Sequence, residues 1–284
     1  MSEVDAAPPL AGQVAVITGG ARGQGRSHAL ELARLGADVA ICDLCEDVAT
    51  VGYPLSTPDQ LAETAKLVEA EGRRCVSEIV DVRDLGALID FVDQVQQSLG
   101  SVDIMVANAG VTAIGSVCDM TADQWGDVID INLTGVFNAI RAAAPHMRKQ
   151  RSGRIVGISS MMGRTSQPAI PAYSASKWGV IGLCKSAAYE LAGFGVTVNV
   201  IAPGNVSTPM IHNDQLYSLM RPDLKHPTAE EVAPVMAELH TQPVPWLEPE
   251  EITAALVYLV SDGARHITGS VLDVNAGASA RFTA

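Results

Sequence analysis

The feature that most constrains the fold of this chain is a repeated alternation between short apolar runs and longer helix-like segments. We predict strands at 13–18, 38–43, 75–81, 102–107, 153–160, 196–201 and 269–274. We predict helices at 26–35, 61–71, 85–99, 121–150, 172–191 and 250–261. Strands that alternate with helices form a parallel sheet through right-handed crossovers. The pattern therefore predicts an α/β fold, a doubly wound parallel sheet of about seven strands with helices on both faces.

The composition favours one large domain. Hydrophobic residues make up 48% of the 284-residue chain and aromatic residues only 4%, so aliphatic side chains must fill the core, as in a covered parallel sheet. No shift in composition marks a second domain. We expect residues 1–10, which are polar and contain prolines, to form a disordered arm, and residues 11–284 to form a single domain.

Charge and cysteine usage exclude several classes of protein. A net charge of −13 makes a general nucleic-acid binder improbable, because such proteins need a basic surface. The chain shows neither a signal-peptide pattern nor an apolar run of about 18 residues. Five cysteines without a leader favour reduced thiols. We therefore expect a cytoplasmic location.

A glycine-rich turn separates the first predicted strand from the first predicted helix. Gly19, Gly23 and Gly25 lie in the segment TGGARGQG directly after the apolar run. Glycine lets the backbone approach a ligand closely, and a helix N-terminus favours an anion. The turn therefore predicts a site for the pyrophosphate of a dinucleotide, although its GxxxGxG spacing differs from the commonest fingerprint.

The second predicted strand ends in an acid that bears on which dinucleotide binds. Asp43 lies 18 residues after Gly25 (43 − 25), near the position where an acid holds the ribose 2′-hydroxyl of NAD. A carboxylate there repels the 2′-phosphate of NADP. Arg22 favours the opposite choice, because a basic residue in the turn can bind that phosphate. We predict NAD, since the position of Asp43 separates the two cofactors directly.

Two side chains suited to proton chemistry, Tyr173 and Lys177, lie four residues apart. In the predicted helix 172–191 this spacing places both on one face. Because a nearby ammonium favours the phenolate, we expect Lys177 to lower the pKa of Tyr173 from its ordinary value of roughly 10. The pair suits removal of a proton from an alcohol or its return to a carbonyl.

Two further polar residues are candidates for the same site. Ser160 closes the predicted strand 153–160, and open α/β sheets bind ligands at the carboxyl ends of their strands. Asn132 interrupts an apolar part of the predicted helix 121–150. A buried, fully hydrogen-bonded amide is the alternative interpretation of Asn132.

Two long segments break the alternation. Residues 44–60 have no clear period and contain three Gly or Pro residues, and loops of this length inside a domain are usually functional or disordered. We predict that residues 205–250 form a substrate lid with one or two short helices. Its apolar residues suggest an apolar pocket, with ordinary lid packing as the alternative: Met210, Ile211, Leu216, Tyr217, Leu219, Met220, Met236 and Trp246.

Metal and thiol chemistry receive little support. The lid histidines His212, His226 and His240 do not have the spacing of a metal site. Cys42 and Cys45 form a CxxC, but no second pair stands at zinc-site spacing, and the motif does not open a helix of thioredoxin type.

Taken together, the motifs resemble those of the short-chain dehydrogenases/reductases over residues 12–277. The segment 18–25 is similar to the family's TGxxxGxG turn, and 108–110 to its NNAG motif, with Ala107 replacing the first Asn. Residues with the order and spacing of the catalytic tetrad are Asn132, Ser160, Tyr173 and Lys177. The resemblance implies a Rossmann-type fold, with Tyr173 as general base, Lys177 on the nicotinamide ribose, Ser160 on the substrate oxygen, and Asn132 ordering a water.

The same resemblance implies a set of cofactor contacts along the carboxyl edge of the sheet. The implied residues are Gly19, Arg22, Gly23, Gln24, Gly25, Asp43, Leu44, Asp81, Val82, Asn108, Ala109, Gly110, Tyr173, Lys177, Pro203, Gly204, Val206 and Thr208. The last four surround a segment similar to the family's PG motif, which touches the nicotinamide side. No metal is implied. The family is usually homotetrameric.

A narrower resemblance is to the mycofactocin-coupled branch, which includes carveol-dehydrogenase-like enzymes. It rests on the segments 20–28, 42–45 (CDLC) and the inserted 53–58, and on Gln24 in place of the family's usual Ile. It implies that the inserted loop covers the cofactor and that NAD stays bound. It also implies reoxidation in place by mycofactocin, a peptide-derived electron carrier.

The motifs and the resemblance together imply an NAD-dependent oxidoreductase that interconverts a hydrophobic secondary alcohol and its ketone. Three alternatives remain open. The first is an ordinary dehydrogenase or 3-ketoacyl-type reductase with freely exchanging NAD(P)(H). The second is a non-catalytic nucleotide sensor on the same fold. The third is a redox protein that uses Cys42 and Cys45.

Overall fold

A computed structural model describes residues 7–281 and contains one seven-stranded sheet in which every pairing is parallel. The strands are β1 (Val14–Thr18), β2 (Asp38–Asp43), β3 (Cys75–Ile79), β4 (Ile104–Ala107), β5 (Gly153–Ile158), β6 (Val196–Pro203) and β7 (Val271–Val274). Their spatial order is β3-β2-β1-β4-β5-β6-β7. The predicted doubly wound parallel sheet is confirmed.

Helices connect and cover the strands. They are α1 (Gly23–Arg34), α2 (Pro58–Ala70), α3 (Leu85–Leu99), α4 (Ala122–Ile129), α5 (Gly135–Gln150), α6 (Pro171–Leu191), α7 (Asp214–Met220), α8 (Ala229–Glu238) and α9 (Pro249–Val260). Within residues 7–281, no helix is both long and apolar enough to cross a membrane.

The two faces of the sheet bury separate apolar cores. Along β1, Val14 and Val16 belong to the core beneath α3, α5 and α6, whereas Ala15 and Ile17 belong to the core beneath α1 and α9. Successive side chains of a strand point to opposite faces. A strand covered on both faces is therefore apolar along most of its length, as β1 is from Val14 to Ile17.

The order of the strands determines where a ligand can bind. The chain builds outward from β1 through β2 to β3, and then β4 starts on the opposite side of β1. The loops after β1 and β4 therefore diverge and leave a crevice at the carboxyl edge of the sheet. Open α/β sheets bind ligands at this topological switch point.

The predicted helix 121–150 is interrupted. Residues Asp130–Thr134 form a π-helical turn between α4 and α5. At its centre, the Asn132 side chain accepts a hydrogen bond from the Val111 backbone N–H at 2.8 Å and donates to the Val111 carbonyl at 2.9 Å. Single π turns are typical of functional sites, and this one places the Asn132 amide beside the end of β4.

The ordered chain begins before residue 11. Leu10 is buried in the core under α1, and its backbone N–H donates to the Leu35 carbonyl at 2.8 Å. The expectation of disorder is therefore wrong for Leu10, because its side chain has apolar surface to cover. Residues 1–6 of the predicted arm lie outside the described residues.

Candidate active site

The glycine-rich turn leaves no space for side chains. A Cβ at Gly25 would lie 2.0 Å from the Gly19 carbonyl oxygen, and Gly19 itself has a φ of +69°. The Asn108 side chain donates to the carbonyls of Thr18 and Gly19 at 2.9 and 3.1 Å. The end of β4 thus fixes the turn, and the N-terminus of α1 stays open to an anion.

A cavity lies over this turn at the carboxyl edge of β1, β2 and β4. Most of the predicted cofactor residues line it: Gly19, Arg22, Gly23, Gln24, Gly25, Asp43, Leu44, Asp81, Val82, Asn108, Ala109, Gly110 and Thr208. The Gln24 side-chain oxygen is buried and has no hydrogen-bond partner among the described residues. Its unsatisfied oxygen fits a ligand that donates a hydrogen bond.

Asp43 closes one end of this cavity, which we call the nucleotide cavity. Its carboxylate accepts hydrogen bonds from the Ala21 and Leu44 backbone N–H groups at 3.0 and 2.9 Å and from the Ser56 hydroxyl at 2.6 Å. A carboxylate offers about four lone-pair positions. One position therefore remains for a ligand hydroxyl.

The Arg22 guanidinium lines the nucleotide cavity and also binds the inserted loop. Its Nη2 donates to the Pro54 carbonyl at 2.6 Å. Burial lowers the pKa of Arg22, and the neighbouring Asp43 and Asp47 partly oppose that effect. Arg22 therefore holds the inserted loop against the glycine-rich turn, a role that the sequence did not reveal.

The inserted loop, residues 44–57, is an ordered strap over the nucleotide cavity. Val48 is buried against α4, and Thr50 donates to Asp127 at 2.7 Å. Asp47 accepts from the Leu55 backbone N–H at 2.7 Å. The strap ends earlier than predicted, because Thr57 caps α2 through a reciprocal capping box.

The strap also reaches the predicted substrate lid. A Cβ at Gly52 would lie 2.1 Å from Oε1 of Gln215, a residue of α7. Three strap residues that the sequence did not assign to the site line the nucleotide cavity: Tyr53, Leu55 and Ser56. The break in periodicity marked the segment but did not show which of its side chains turn inward.

The end of β5 and the first turns of α6 bring Ser160, Tyr173 and Lys177 together. The Ser160 hydroxyl lies beside the Tyr173 phenol and favours its ionised form, which lowers the pKa of Tyr173. The Lys177 ammonium lies 5.5 Å from the centre of the Tyr173 ring and donates to the Ile158 carbonyl at 2.9 Å. The four-residue spacing on α6 therefore places phenol and ammonium side by side, as the sequence predicts.

The protonation equilibria of this pair differ from the expectation. Burial raises the pKa of Tyr173, and the neighbouring Ser160 hydroxyl opposes this only in part. Burial lowers the pKa of Lys177 to about 8. Without ligand, loss of hydration therefore outweighs the effect of the ammonium on the phenol, because both groups lie away from water.

Asn132 is the fourth member of this arrangement. Its amide also donates to the Ser176 hydroxyl at 3.1 Å, so both of its polar atoms bind protein groups. A Cβ at Gly110 would lie 3.3 Å from Asn132 Oδ1 and 3.4 Å from Lys177 Nζ. Only a glycine leaves the space through which these two groups face each other.

A second, apolar cavity adjoins the nucleotide cavity. Ser160 and Tyr173 lie in its wall with Thr112 and Gln167, and most of its lining is aliphatic or thioether: Met161, Met162, Ile170, Met210, Ile211, Leu216, Leu219, Met220, Met236 and Leu239. Met210 lines both cavities. Ser160 and Tyr173 therefore face the apolar space, which adjoins the polar nucleotide cavity.

Several predicted residues do not line either cavity. Pro203 is buried at the end of β6, and Val206 is buried in the core and pairs with Leu247. Gly204 and Tyr173 line the apolar cavity instead of the nucleotide cavity, and Lys177 lines neither. Proximity in sequence to a strand end does not determine the direction of each side chain.

The lid aromatics Tyr217 and Trp246 pack around His212 and not into the apolar cavity. His212 hydrogen-bonds to the Tyr217 and Ser207 hydroxyls at 2.7 and 3.0 Å, and its ring lies 4.9 Å from that of Trp246. The alternative of ordinary lid packing holds for these residues. Two short helices, α7 and α8, form within the lid as predicted.

The CxxC pair is poorly suited to thiol chemistry. Cys42 is buried in β2, and burial raises the pKa of its thiol. Burial and the charge of Asp43 raise the pKa of Cys45 to about 11. Because the thiolate is the reactive form, these environments disfavour a redox role.

Comparison with known proteins places this geometry in one family. The family model described as short chain dehydrogenase matches residues 13–216. A (-)-trans-carveol dehydrogenase of Rhodococcus erythropolis is 46% identical over 94% of this chain and 97% of its own length. A 3-oxoacyl-[acyl-carrier-protein] reductase of Staphylococcus epidermidis is 35% identical over 93% of this chain and 97% of its own.

A solved structure agrees with the fold across nearly the whole chain. The crystal structure of a carveol dehydrogenase from Mycobacterium avium in complex with NAD superimposes with a TM-score of 0.94 and 45% identity. The match covers 95% of this chain and 99% of that one. The chain is a member of the short-chain dehydrogenase family of oxidoreductases.

Proposed function

We propose that the protein interconverts a hydrophobic secondary alcohol and its ketone, with NAD as the hydride carrier. One observation carries this proposal. Ser160 and Tyr173 line the apolar cavity, and Met210 lines both this cavity and the adjoining nucleotide cavity. An alcohol held in the first space can therefore react with a nicotinamide held in the second.

The residues of the nucleotide cavity fit NAD better than NADP. The glycine-rich turn offers close backbone approach, and the Asp43 carboxylate can accept from a ribose hydroxyl and would repel a phosphate. Arg22 is engaged with the strap carbonyl of Pro54. The Mycobacterium avium structure, a complex with NAD, supports the same choice.

The protein's own groups bind, orient and move the proton. When bound, NAD accepts the hydride from the carbinol carbon in oxidation and returns it in reduction. Ser160 donates a hydrogen bond to the substrate oxygen, and Tyr173 removes the hydroxyl proton. Lys177 holds the nicotinamide ribose. Together with the positively charged nicotinamide ring of oxidised NAD, it favours the phenolate form of Tyr173. The raised pKa of Tyr173 without ligand makes the phenol a proton donor in the reverse direction.

Asn132 links the buried pair to solvent through an ordered water. This role is supported by the position of Gly110, whose added Cβ would touch both Asn132 and Lys177. A proton taken up by Tyr173 must leave a site whose members are buried. A water between these two side chains provides the route.

The substrate is an apolar alcohol of the size of a monoterpene. Methionines recur in the lining of the apolar cavity, and among its described residues none carries a full charge. Thioether side chains adapt to irregular apolar shapes. Carveol, an apolar secondary alcohol named for two of the relatives, is the natural first probe.

The cofactor stays bound and is reoxidised in place by mycofactocin. The ordered strap supports this, because Arg22 and Asp127 bind it from outside and Gly52 lies against Gln215 of the lid. A nucleotide beneath it can leave only after several of these contacts break.

The working protein is a cytoplasmic homotetramer. All five cysteines are free, as in a reducing compartment. A groove between α3, α5 and α6 exposes Phe137, which is 44% accessible, beside Leu183. An exposed apolar groove of this kind is a candidate surface for contact with a second copy of the chain.

The second candidate is a 3-oxoacyl reductase with exchanging cofactor, which the 35% identical Staphylococcus epidermidis relative favours. Denaturation of the purified protein, with chromatography of the released nucleotide, separates the two. Near-stoichiometric NAD(H) supports the bound-cofactor enzyme. An empty protein that turns over with added NAD(P)H and a 3-oxoacyl thioester supports the reductase.

The catalytic assignment is tested with Tyr173→Phe. We expect oxidation of carveol to fall by at least about 10²-fold, because general acid–base catalysis contributes 10²- to 10⁴-fold, while NAD binding is retained. A variant with near-normal kcat contradicts the assignment.

A further inference from the structure

The strap carries one buried side chain whose role the family motifs do not explain. Tyr53 is 7% exposed and lines the nucleotide cavity. Its hydroxyl oxygen accepts a hydrogen bond from the Thr112 backbone N–H at 3.3 Å. Thr112 in turn lines the apolar cavity, so the hydroxyl marks the boundary between the two spaces.

The hydroxyl hydrogen of Tyr53 has no acceptor among residues 7–281. Its only hydrogen bond there is the one that it accepts from Thr112. Burial raises the pKa of Tyr53, and ionisation of the nearby Tyr173 would raise it further. The group therefore remains a neutral donor, and a donor in a cavity wall needs an acceptor there, either a water or a bound ligand.

The strap fixes this donor over one end of the cavity. Arg22 binds the carbonyl of Pro54, the next residue, and Ser56 binds Asp43. The Asp43 end takes the adenosine ribose under the proposed function, whereas Tyr53 lies near Tyr173, where hydride transfer occurs. When NAD is bound under the proposed function, the acceptor nearest this donor belongs to the other half of the dinucleotide.

We propose that Tyr53 donates its hydroxyl hydrogen to an acceptor on the nicotinamide half of bound NAD. The strap would then be a specific part of the cofactor site as well as a cover over it. Tyr53 is a cofactor-binding residue in this proposal, which rests on the proposed use of NAD. Oxygen acceptors on this half are the carboxamide oxygen and the ribose hydroxyls.

The test compares NAD with ADP, which lacks the nicotinamide and its ribose. Affinities of nucleotide-free wild type and Tyr53→Phe for both ligands are measured by calorimetry. Loss of one neutral hydrogen bond changes affinity by about 2- to 13-fold. We expect NAD to bind about 5-fold more weakly to the variant, whereas the affinity for ADP stays within about twofold.

Stability and ligand affinity separate a structural role from the proposed one. Tyr53→Phe leaves the Thr112 N–H without its acceptor in both the free and the bound protein, so this loss lowers Tm but cancels in the affinity for NAD. Thr50→Val is the matched control, because it breaks the contact of the strap with Asp127 without altering the cavity lining.

Three results would overturn the proposal. If Tyr53→Phe binds NAD as tightly as wild type does, Tyr53 donates no hydrogen bond to NAD. If the variant binds ADP and NAD more weakly by the same factor, the effect lies at the adenosine end. If Thr50→Val weakens NAD binding as much as Tyr53→Phe does, the effect comes from lost order in the strap and not from a hydrogen bond of Tyr53. A wild type that binds ADP but not NAD overturns the proposed cofactor itself, which distinguishes that failure from the others.

Discussion

Replacement of Lys177 by methionine should abolish activity and yet stabilise the nucleotide-free protein. Lys177 is fully buried, and burial lowers its pKa from 10.5 to about 8. One pKa unit corresponds to about 1.36 kcal/mol, so the charged ammonium destabilises the folded state by about 3 kcal/mol at neutral pH. Methionine keeps the aliphatic volume and removes this penalty.

The gain is partly offset by a lost hydrogen bond. Lys177→Met leaves the Ile158 carbonyl without the partner it now has at 2.9 Å, which costs about 1–2 kcal/mol. The net expectation is a stabilisation of about 1–2 kcal/mol at pH 7. For a domain of this size, Tm should rise by about 2–6 °C.

The difference in stability between wild type and Lys177→Met should change with pH. Below pH 8 the lysine is protonated in both folded and unfolded states, and the penalty is complete. Between pH 8 and 10.5 the unfolded state binds more protons, so the stability of the wild type rises relative to that of the variant. Above this window the lysine is neutral in both states, and the wild type should become the more stable protein.

Urea denaturation of both nucleotide-free proteins at pH 7, 8, 9 and 10 measures this difference. Lys185→Met is the control, because Lys185 is exposed on the same helix and donates to the Gly269 carbonyl. A Lys177→Met protein that is less stable at pH 7, with a difference that stays constant to pH 10, would refute the reasoning.

Three further predictions concern the cofactor turn and the two cavities. Asp43→Asn should reduce the preference for NAD over NADP at least about tenfold in direct titrations, since it removes the repulsion of a phosphate; an unchanged ratio would contradict the role of Asp43. Gly25→Ala should lower Tm markedly, because its Cβ would meet the Gly19 carbonyl at 2.0 Å, whereas Gly182→Ala, with nothing within 4 Å, should stabilise α6 by about 0.5–1 kcal/mol; equal melting temperatures would show that the turn relaxes. Met210→Ala should raise KM for carveol several-fold and leave ADP affinity unchanged, and a normal KM would place the substrate elsewhere.

The order of strands and helices could be predicted because apolar periodicity is a local property. The bounds of β2 and α3 are those expected from the sequence. The glycine-rich turn was also recognisable, because close approach of Gly25 to Gly19 leaves no room for any other residue. These features depend on residues near one another in the chain.

The π turn and the pKa values depend on distant partners and were not predictable. Asn132 is fixed by Val111, 21 residues away, so its amide satisfies groups that no local pattern reveals. The expected lowering of the Tyr173 pKa considered only the ammonium. Burial by the rest of the domain reverses it in the absence of ligand.

Tyr53 shows the same limit at the cofactor site. The irregular segment 44–60 was recognisable as an insertion, but the partner of Tyr53, Thr112, lies 59 residues further along. Conversely, Pro203 and Val206 match a family motif in sequence, yet both side chains are buried away from the nucleotide cavity. Side-chain direction follows from the assembled sheet.

Transfer of deuterium in a single turnover tests the central claim most directly. Carveol deuterated at the carbinol carbon is mixed with a stoichiometric amount of NAD-loaded protein, which is then denatured, and the released nucleotide is analysed by mass spectrometry. The account predicts one deuterium on the reduced nucleotide with wild type and none with Tyr173→Phe. Formation of the ketone without deuterium in the nucleotide, or equal transfer by the variant, would contradict it.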